Sequence, residues 1–159
     1  MYKRQFGDSR RQCTCTPTQV NRYRSRISGP LLDRIDIQVE VSNVDYDDLS
    51  STENSETSAE IKKRVNKTRK LQLERYKDYN IYSNSQLDAG MLKKFCPLGE
   101  EENAILRAAF DNLGLSARAH SRILKVARTI ADLENSENIK SEHIAEAIQY
   151  RSLDRKYFE

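Results

Sequence analysis

The sequence lacks the features of several common protein classes. It has three cysteines, an odd number, with Cys13 and Cys15 close together and Cys96 far away, so a disulfide framework is not expected. No apolar run reaches the roughly 18 residues that a membrane-spanning helix needs, and the N-terminus has no apolar signal-peptide core. These absences predict a protein of the reducing cytoplasm that does not enter the membrane.

Motifs for catalysis are also missing. The chain has no GxxxxGKS/T phosphate loop, no strand ending in paired acids that could hold magnesium, and no Ser/His/Asp or Cys/His set. His120 and His143 have no Cys, Asp or second His at ligand spacing, which favours ordinary structural roles for both. The chain alone is therefore not expected to hydrolyse a nucleotide.

The charged residues are unevenly distributed, although the formal net charge is only +3. Residues 1–26 are mostly basic, and residues 35–60 carry acids without any Lys or Arg. A second basic block then spans residues 62–77, where Glu74 is the only acid. Such a block is typical of phosphate contacts, with a solvated helix face as the alternative. The candidate nucleic-acid residues are Lys62, Lys63, Arg64, Lys67, Arg69 and Lys70.

The chain divides by composition into five parts. Residues 1–15 show no period and are expected to be flexible, residues 42–57 form an acidic linker, and residues 151–159 form a polar tail. In residues 16–41, Thr16 and Pro17 begin a helix to about Arg26, Gly29-Pro30 ends it, and residues 35–41 alternate as a strand. That strand has no partner in the rest of the sequence, which indicates a piece of a larger domain.

Residues 58–150 predict a bundle of amphipathic helices. A basic helix runs from about Ser58 to Tyr79, a short one from Asp88 to Phe95, and others from Glu100 to Leu113, from the Ser116 cap to Leu133, and from the Ser141 cap to about Tyr150. The expected inward residues are Ile61, Val65, Thr68, Gln72, Tyr76, Tyr79, Ala119, Ile123, Ala127, Ile130, Ala131, Ile144, Ala145 and Ile148. Cys96 is expected in the core, and Lys125 and Arg128 in solvent.

Two segments carry a family resemblance. GPLLDRIDI at residues 29–37 resembles the LLxRFD signature of the magnesium-chelatase and MCM branch of AAA+ ATPases. LSARAHSRILKVARTIADL at residues 115–133 resembles the LSxRAxxRIxxVARTIADL run of the same ATPases. Both segments are similar to the ComM/YifB-type, magnesium-chelatase-like family. The resemblance implies a mainly α fold: a helical bundle of the AAA+ lid type, after a poorly ordered piece of ATPase core with one isolated strand.

The resemblance also implies roles for particular residues. Arg34 matches the arginine finger that reaches the nucleotide of a neighbouring subunit, and Arg118 matches the sensor 2 residue that contacts ATP phosphates; Arg122, one turn later, could share that role. From the residues alone, Arg34 fits a structural pair with Asp33 or Asp36 equally well. Arg118 likewise fits a surface pair with Glu101 or Asp111.

Cofactors and partners follow from the same resemblance. The full-length protein is expected to bind ATP and magnesium through its own ATPase core, to form a ring, as a hexamer, and to act on DNA. Cys13 and Cys15 match only the second half of the family's cysteine element, so no well-formed zinc site and no bound cofactor are expected in this chain.

The implied function is the C-terminal lid of an ATPase that couples ATP hydrolysis to remodelling, such as DNA helicase or branch-migration activity in natural transformation. Two alternatives stay open. One is the motor subunit of a magnesium or cobalt chelatase, and the other is a non-enzymatic helical module that binds nucleic acid or protein.

Overall fold

Helices dominate the computed structural model of the chain, which describes residues 13–32, 34–39, 41 and 56–151. The predicted mainly α class is confirmed. In chain order the elements are α1 Pro17–Arg24, α2 Gly29–Leu32, α3 Ser58–Tyr76, a 3-10 turn Asn84–Gln86, α4 Ala89–Phe95, α5 Glu100–Leu113, α6 Ala117–Leu133 and α7 Ser141–Gln149. None of the helices in these residues is both long and apolar enough to cross a membrane.

Helix starts follow the local chemistry of the sequence. The hydroxyls of Thr16 and Ser116 accept hydrogen bonds from the amides of Gln19 (3.3 Å) and Ala119 (3.1 Å), as the predicted caps of α1 and α6. Gly114 ends α5 in the left-handed conformation, with φ at 57°, which glycine adopts without steric cost. The helix break predicted at Gly29-Pro30 is wrong. These two residues begin the short helix α2, because proline is well tolerated in a first helical turn.

The start of α7 differs from the prediction. Ser141 is the first helical residue, and its hydroxyl donates to Glu102 of α5 at 2.9 Å. The cap position belongs to Lys140, whose amide donates to Nδ1 of His143 at 2.9 Å. The bond from Ser141 lowers the pKa of the Glu102 carboxyl. Ser141 thus ties two helices together, and His143 satisfies the backbone group that a cap would otherwise serve.

The core forms around α6. Its predicted inward residues Ala119, Ile123, Ala127, Ile130 and Ala131 are all buried. Helices α3, α4 and α7 and the 3-10 turn pack against it, and α5 packs against α7.

The buried face of α7 was predicted only in part, and the burial of the Cys96 thiol was predicted correctly. Ile144 and Ala147 are buried, whereas Ala145, expected inside, is exposed. Residues three apart share a helix face, and the face of α7 that meets α6 carries Ile144 and Ala147. Cys96 lies in the core as expected.

The first half of α3 extends beyond the bundle. Thr68, Gln72 and Tyr76 are buried, but Ile61 and Val65 on the same stripe are 42% and 43% exposed, so their predicted burial is wrong. The helix has 19 residues, about 28 Å at the usual rise. Only its second half reaches buried surroundings, and it ends at Tyr76, not Tyr79.

A buried carboxylate joins α3, α6 and the 3-10 turn. The fully buried side chain of Asp132 accepts two hydrogen bonds from Arg75, at 2.5 and 2.8 Å, and one from Arg128 at 3.0 Å. Gln72 (3.3 Å) and Asn84 (2.9 Å) donate to the same carboxylate. Burial acts to lower the pKa of Arg75, but the bonds to Asp132 outweigh it and raise the pKa. The buried charge of Asp132 is therefore balanced by Arg75 and Arg128, and its carboxylate oxygens are hydrogen-bonded inside the core.

Arg128 corrects the expectation that it would lie in solvent. It is 2% exposed, and its two terminal nitrogens donate to the carbonyls of Ser136 (2.7 Å) and Glu137 (2.8 Å). The guanidinium can be buried because Asp132 and these carbonyls occupy three of its five donors.

The predicted strand is not formed in the described part of residues 35–41. Residues 35–39 and 41 have irregular backbone, with Val41 85% exposed. The amide of Gln38 instead donates to the carbonyl of Tyr150 at 2.9 Å. Alternating residues form a strand only beside another strand, and none lies next to them in the described residues. The predictions for residues 1–12, 42–55 and 152–159 lie outside those residues.

Replacing Asp132 with Ala should destabilise the protein by about 3 to 5 kcal/mol, because Arg75 and Arg128 lose their shared counter-charge inside the protein. Urea denaturation followed by circular dichroism measures the change. Glu74→Ala is the control, since it removes the exposed Glu74–Lys77 pair and should cost less than about 1 kcal/mol. An equally small effect of Asp132→Ala would contradict the central role of this carboxylate.

Candidate functional site

The N-terminus of α6 presents an exposed arginine. Arg118 lies in the first turn, just after the Ser116 cap, and its side chain is exposed. No hydrogen bond or ion pair joins it to another residue of the described chain, and the alternative pair with Glu101 or Asp111 is not formed there. The amide groups and dipole at a helix N-terminus favour anions, so this position can attract a phosphate.

Arg122 lies one turn later and is bound within the chain. Its Nη1 atom donates to the backbone carbonyl of Arg34 at 2.9 Å, and the same nitrogen forms an ion pair with Asp36. Its side chain is only 25% exposed. The two candidate sensor residues therefore differ in environment: the Arg122 side chain is bonded to protein groups, whereas the Arg118 side chain is exposed to solvent.

Arg34 is held by its backbone and exposes its side chain. Its carbonyl accepts from Arg122, and its amide donates to Leu31 at 3.0 Å, at the end of α2. The expected alternative partner Asp36 pairs with Arg122 instead. Asp33, the other alternative, lies outside the described residues. Arg34 thus lies next to the α6 face that carries Arg118 and Arg122.

Arg151 fixes the same segment from the other side, and the sequence reading missed it. Placed in the predicted tail, it is in fact 2% exposed, and its Nη1 atom donates to the carbonyl of Ile35 at 2.7 Å. With the Gln38–Tyr150 backbone bond, the end of α7 contacts residues 35 and 38 directly. No pattern in the sequence distinguishes this arginine from its charged neighbours.

The basic residues of α3 form a separate surface. Lys62, Lys63, Lys67, Arg69 and Lys70 are exposed, and Arg64, also exposed, pairs with Glu56 at 2.9 Å. We call these six residues the basic face. Asp132, where α3 meets α6, lies 14 residues beyond Arg118, about 20 Å along the helix. Arg69 of the basic face lines a pocket together with Leu133, so this surface lies towards the end of α6 opposite Arg118.

One cluster in the described residues has metal-ligand composition: Glu134, Glu142 and His143. Nε2 of His143 lies 2.9 Å from the Glu134 carboxylate, but Nδ1 accepts the amide of Lys140. A histidine that binds a metal normally donates its other ring N–H, whereas here that nitrogen is an acceptor. With Nδ1 as an acceptor, Nε2–H donates to Glu134, so His143 serves the start of α7, and this arrangement disfavours a metal ion at the cluster.

The cysteines have contrasting environments. All three lie in the described residues, and no disulfide joins them. Cys13 and Cys15 are half-buried, whereas burial raises the pKa of the Cys96 thiol to about 11. The expectation that Cys13 and Cys15 make no well-formed zinc site, but at most half of one, stays a prediction.

Family comparison covers both segments that carry these arginines. Residues 55–151 match the family described as magnesium chelatase, subunit ChlI, C-terminal, and residues 3–49 match magnesium chelatase, subunit ChlI. The chain belongs to this magnesium chelatase family. The first match contains Arg118, Arg122 and the basic face, and the second contains Arg34.

Individual relatives resemble most of the chain. The chain is 42% identical to competence protein ComM of Haemophilus influenzae over 141 residues, which cover 88% of the chain and 27% of ComM. It is also 42% identical to YifB of Escherichia coli, an uncharacterized protein, over 142 residues, which cover 89% of the chain and 27% of YifB. The chain is thus of the ComM/YifB type and spans about a quarter of the length of these relatives.

Thiol labelling should distinguish the three cysteines. In the native protein at pH 8, a disulfide reagent should modify Cys13 and Cys15 and leave Cys96 unreacted, because a buried thiol with a pKa of about 11 holds almost no thiolate. Absorbance of the released thiolate counts the modified groups. Unfolding in urea should expose the third thiol, and rapid modification of all three in the native state would contradict the packing around Cys96.

Proposed function

We propose that the chain is the lid and arginine-finger part of an AAA+ ATPase that uses ATP to remodel DNA. The observation that carries this proposal is the exposure of Arg34 and Arg118 without side-chain partners in the described residues, on a segment and a helix that contact each other. An arginine that does not serve the fold is available for phosphate. Membership of the magnesium chelatase family supports the assignment.

Arg34 is the proposed finger. A guanidinium is planar and always charged, and it can donate two parallel hydrogen bonds to phosphate oxygens. Placed against the γ-phosphate held by a neighbouring subunit, it would stabilise charge in the transition state, an effect on the order of 10³ to 10⁵ in rate. A finger that acts between subunits requires a ring, for which we propose a hexamer.

Arg118 is the proposed sensor of the ATP phosphates. It is better suited than Arg122, because the Arg122 guanidinium already bonds Arg34 and Asp36. In a protein as long as the relatives, the remaining residues would supply the phosphate loop, the magnesium ligands and most of the ATP site. The reducing cytoplasm is the proposed compartment, in keeping with thiols that form no disulfide.

The basic face is the proposed DNA contact. Four of its six side chains, those of Lys62, Lys63, Arg64 and Lys67, project from the part of α3 that lies outside the bundle, where a phosphate backbone could approach without displacing packed residues. Because ComM is named a competence protein, helicase or branch-migration activity in natural transformation is the form of remodelling that we propose.

The magnesium chelatase family name favours a second candidate. A chelatase motor would use Arg34 and Arg118 in the same way but would drive metal insertion with a protein partner. DNA would then neither bind to the basic face nor stimulate ATP hydrolysis.

Arg34→Ala in the full-length protein should lower DNA-stimulated ATP turnover by about 10³-fold or more while ATP binding is retained, because the finger acts on the transition state of the adjoining site. Phosphate release and fluorescent-nucleotide binding measure the two quantities. Arg22→Ala, a loss of the same charge from the exposed part of α1, is the control and should behave as wild type. Unchanged turnover in Arg34→Ala would refute the finger.

The pair of substitutions Lys62→Ala and Lys67→Ala should weaken binding to branched DNA and make the slope of log affinity against log salt shallower by about 1 to 2, as expected when up to two phosphate contacts are lost. Fluorescence anisotropy at several salt concentrations measures the slope. The control pair Lys93→Ala and Lys140→Ala removes the same charge from exposed sites on other elements. Equal effects of the two pairs would argue against a DNA contact at the basic face.

A further inference from the structure

We propose that Arg122 is a positioning residue that holds the Arg34 segment against the lid, and that Arg151 completes the same clamp. The proposal rests on the function proposed above, since it gives the clamp a role in aiming Arg34. It differs from a sensor role, in which the Arg122 guanidinium would contact ATP itself.

The contacts of Arg122 are directed at the backbone that carries Arg34. One nitrogen donates to the Arg34 carbonyl at 2.9 Å and also pairs with the Asp36 carboxylate. These acceptors flank Ile35, so the guanidinium fixes both sides of one residue in the chain. A hydrogen bond from a charged donor is about twice as strong as a neutral one, which suits it to fixing a segment that has no strand or helix of its own.

The other half of the clamp comes from the two residues that follow α7. The nearly buried Arg151 donates to the Ile35 carbonyl at 2.7 Å, and the carbonyl of Tyr150 accepts the Gln38 amide at 2.9 Å. Residues 34, 35, 36 and 38 are therefore bonded to α6 and to the residues directly after α7, and these two helices pack on each other. Burial of a charged side chain is costly unless it is bonded, so Arg151 favours the docked segment.

The clamp explains why Arg34 can be exposed and still be well placed. Its side chain projects from a backbone that is fixed on both sides, and Arg118 lies one helical turn from Arg122, roughly 5 to 6 Å along α6. Movement of the N-terminus of α6, caused by phosphate at Arg118, would be transmitted through Arg122 to Arg34. The clamp thus links the nucleotide state sensed by the lid to the aim of the finger.

The first test is structural and does not depend on ATP. In this chain, Arg122→Ala should speed hydrogen exchange of the Gln38 amide by roughly tenfold. Loss of one hydrogen bond from a charged group should favour opening of the segment by roughly that factor. Lys125→Ala is the matched control: it removes a charge from the same helix, but Lys125 bonds the Ser85 carbonyl at 2.9 Å. Unchanged exchange at Gln38 in Arg122→Ala overturns the clamp, whatever the protein's activity.

The second test is kinetic and uses the full-length protein. Arg122→Ala should lower ATP turnover by roughly 10²-fold, the order expected for a misplaced catalytic group, with ATP affinity unchanged and Arg122→Lys partly restored. Combined with Arg34→Ala, it should cause no further loss, because both substitutions remove the same contribution. Weakened ATP binding, or a double variant much slower than Arg34→Ala alone, would instead make Arg122 a phosphate contact.

The two tests separate the possible failures. Faster exchange with unchanged turnover in an active enzyme would leave a structural contact and overturn the positioning role. If the wild-type protein does not hydrolyse ATP, the proposed function fails, and the positioning role fails with it even where the exchange result supports the contacts.

Discussion

The carboxylate of Asp132 is the constraint on which the arrangement of the bundle depends. It lies near the end of α6 and receives hydrogen bonds from Gln72 and Arg75 of α3, Arg128 of α6 and Asn84 of the 3-10 turn. An apolar contact allows small slides, whereas a buried carboxylate that accepts five hydrogen bonds from four residues has few acceptable positions. This contact fixes the register of α3 against α6, and therefore how far the first half of α3, with most of the basic face, extends from the bundle.

Helix α6 connects this hub to the candidate phosphate site. Its 17 residues span about 25 Å, with Arg118 and Arg122 at the first end and Arg128 and Asp132 at the other. The four polar side chains differ in environment: Arg118 is exposed, Arg122 contacts the Arg34 segment, and the last two are buried. Exposure of these side chains therefore decreases along α6, from the proposed phosphate contact Arg118 to the buried structural residues Arg128 and Asp132.

Sequence reasoning mostly succeeded where local chemistry decides the structure, with the break expected at Gly29-Pro30 as a local failure, and it failed mainly where tertiary contacts decide the structure. The cap of α6 at Ser116 and its apolar stripe follow from residues within a few positions of each other. Arg128 was misplaced because its neighbours in sequence cannot reveal that Asp132 and two carbonyls surround it. The burial of Ile61 was overestimated because periodicity identifies a face but not how far the neighbouring helices extend. Arg151 was missed because its partner, the Ile35 carbonyl, lies 116 positions away in the chain.

The irregular segment at residues 34–39 bears on how a finger could be regulated. A finger on a sheet strand would be fixed by its ladder, and its position would not depend on the lid. Here the backbone around Arg34 is bonded to side-chain and main-chain groups at the ends of α6 and α7. These are few contacts, partly exposed at Arg122 and Asp36, so the segment can be released without unfolding the bundle. In the proposed ATPase, a lid that holds the finger by contacts of this strength could both aim it and let it go.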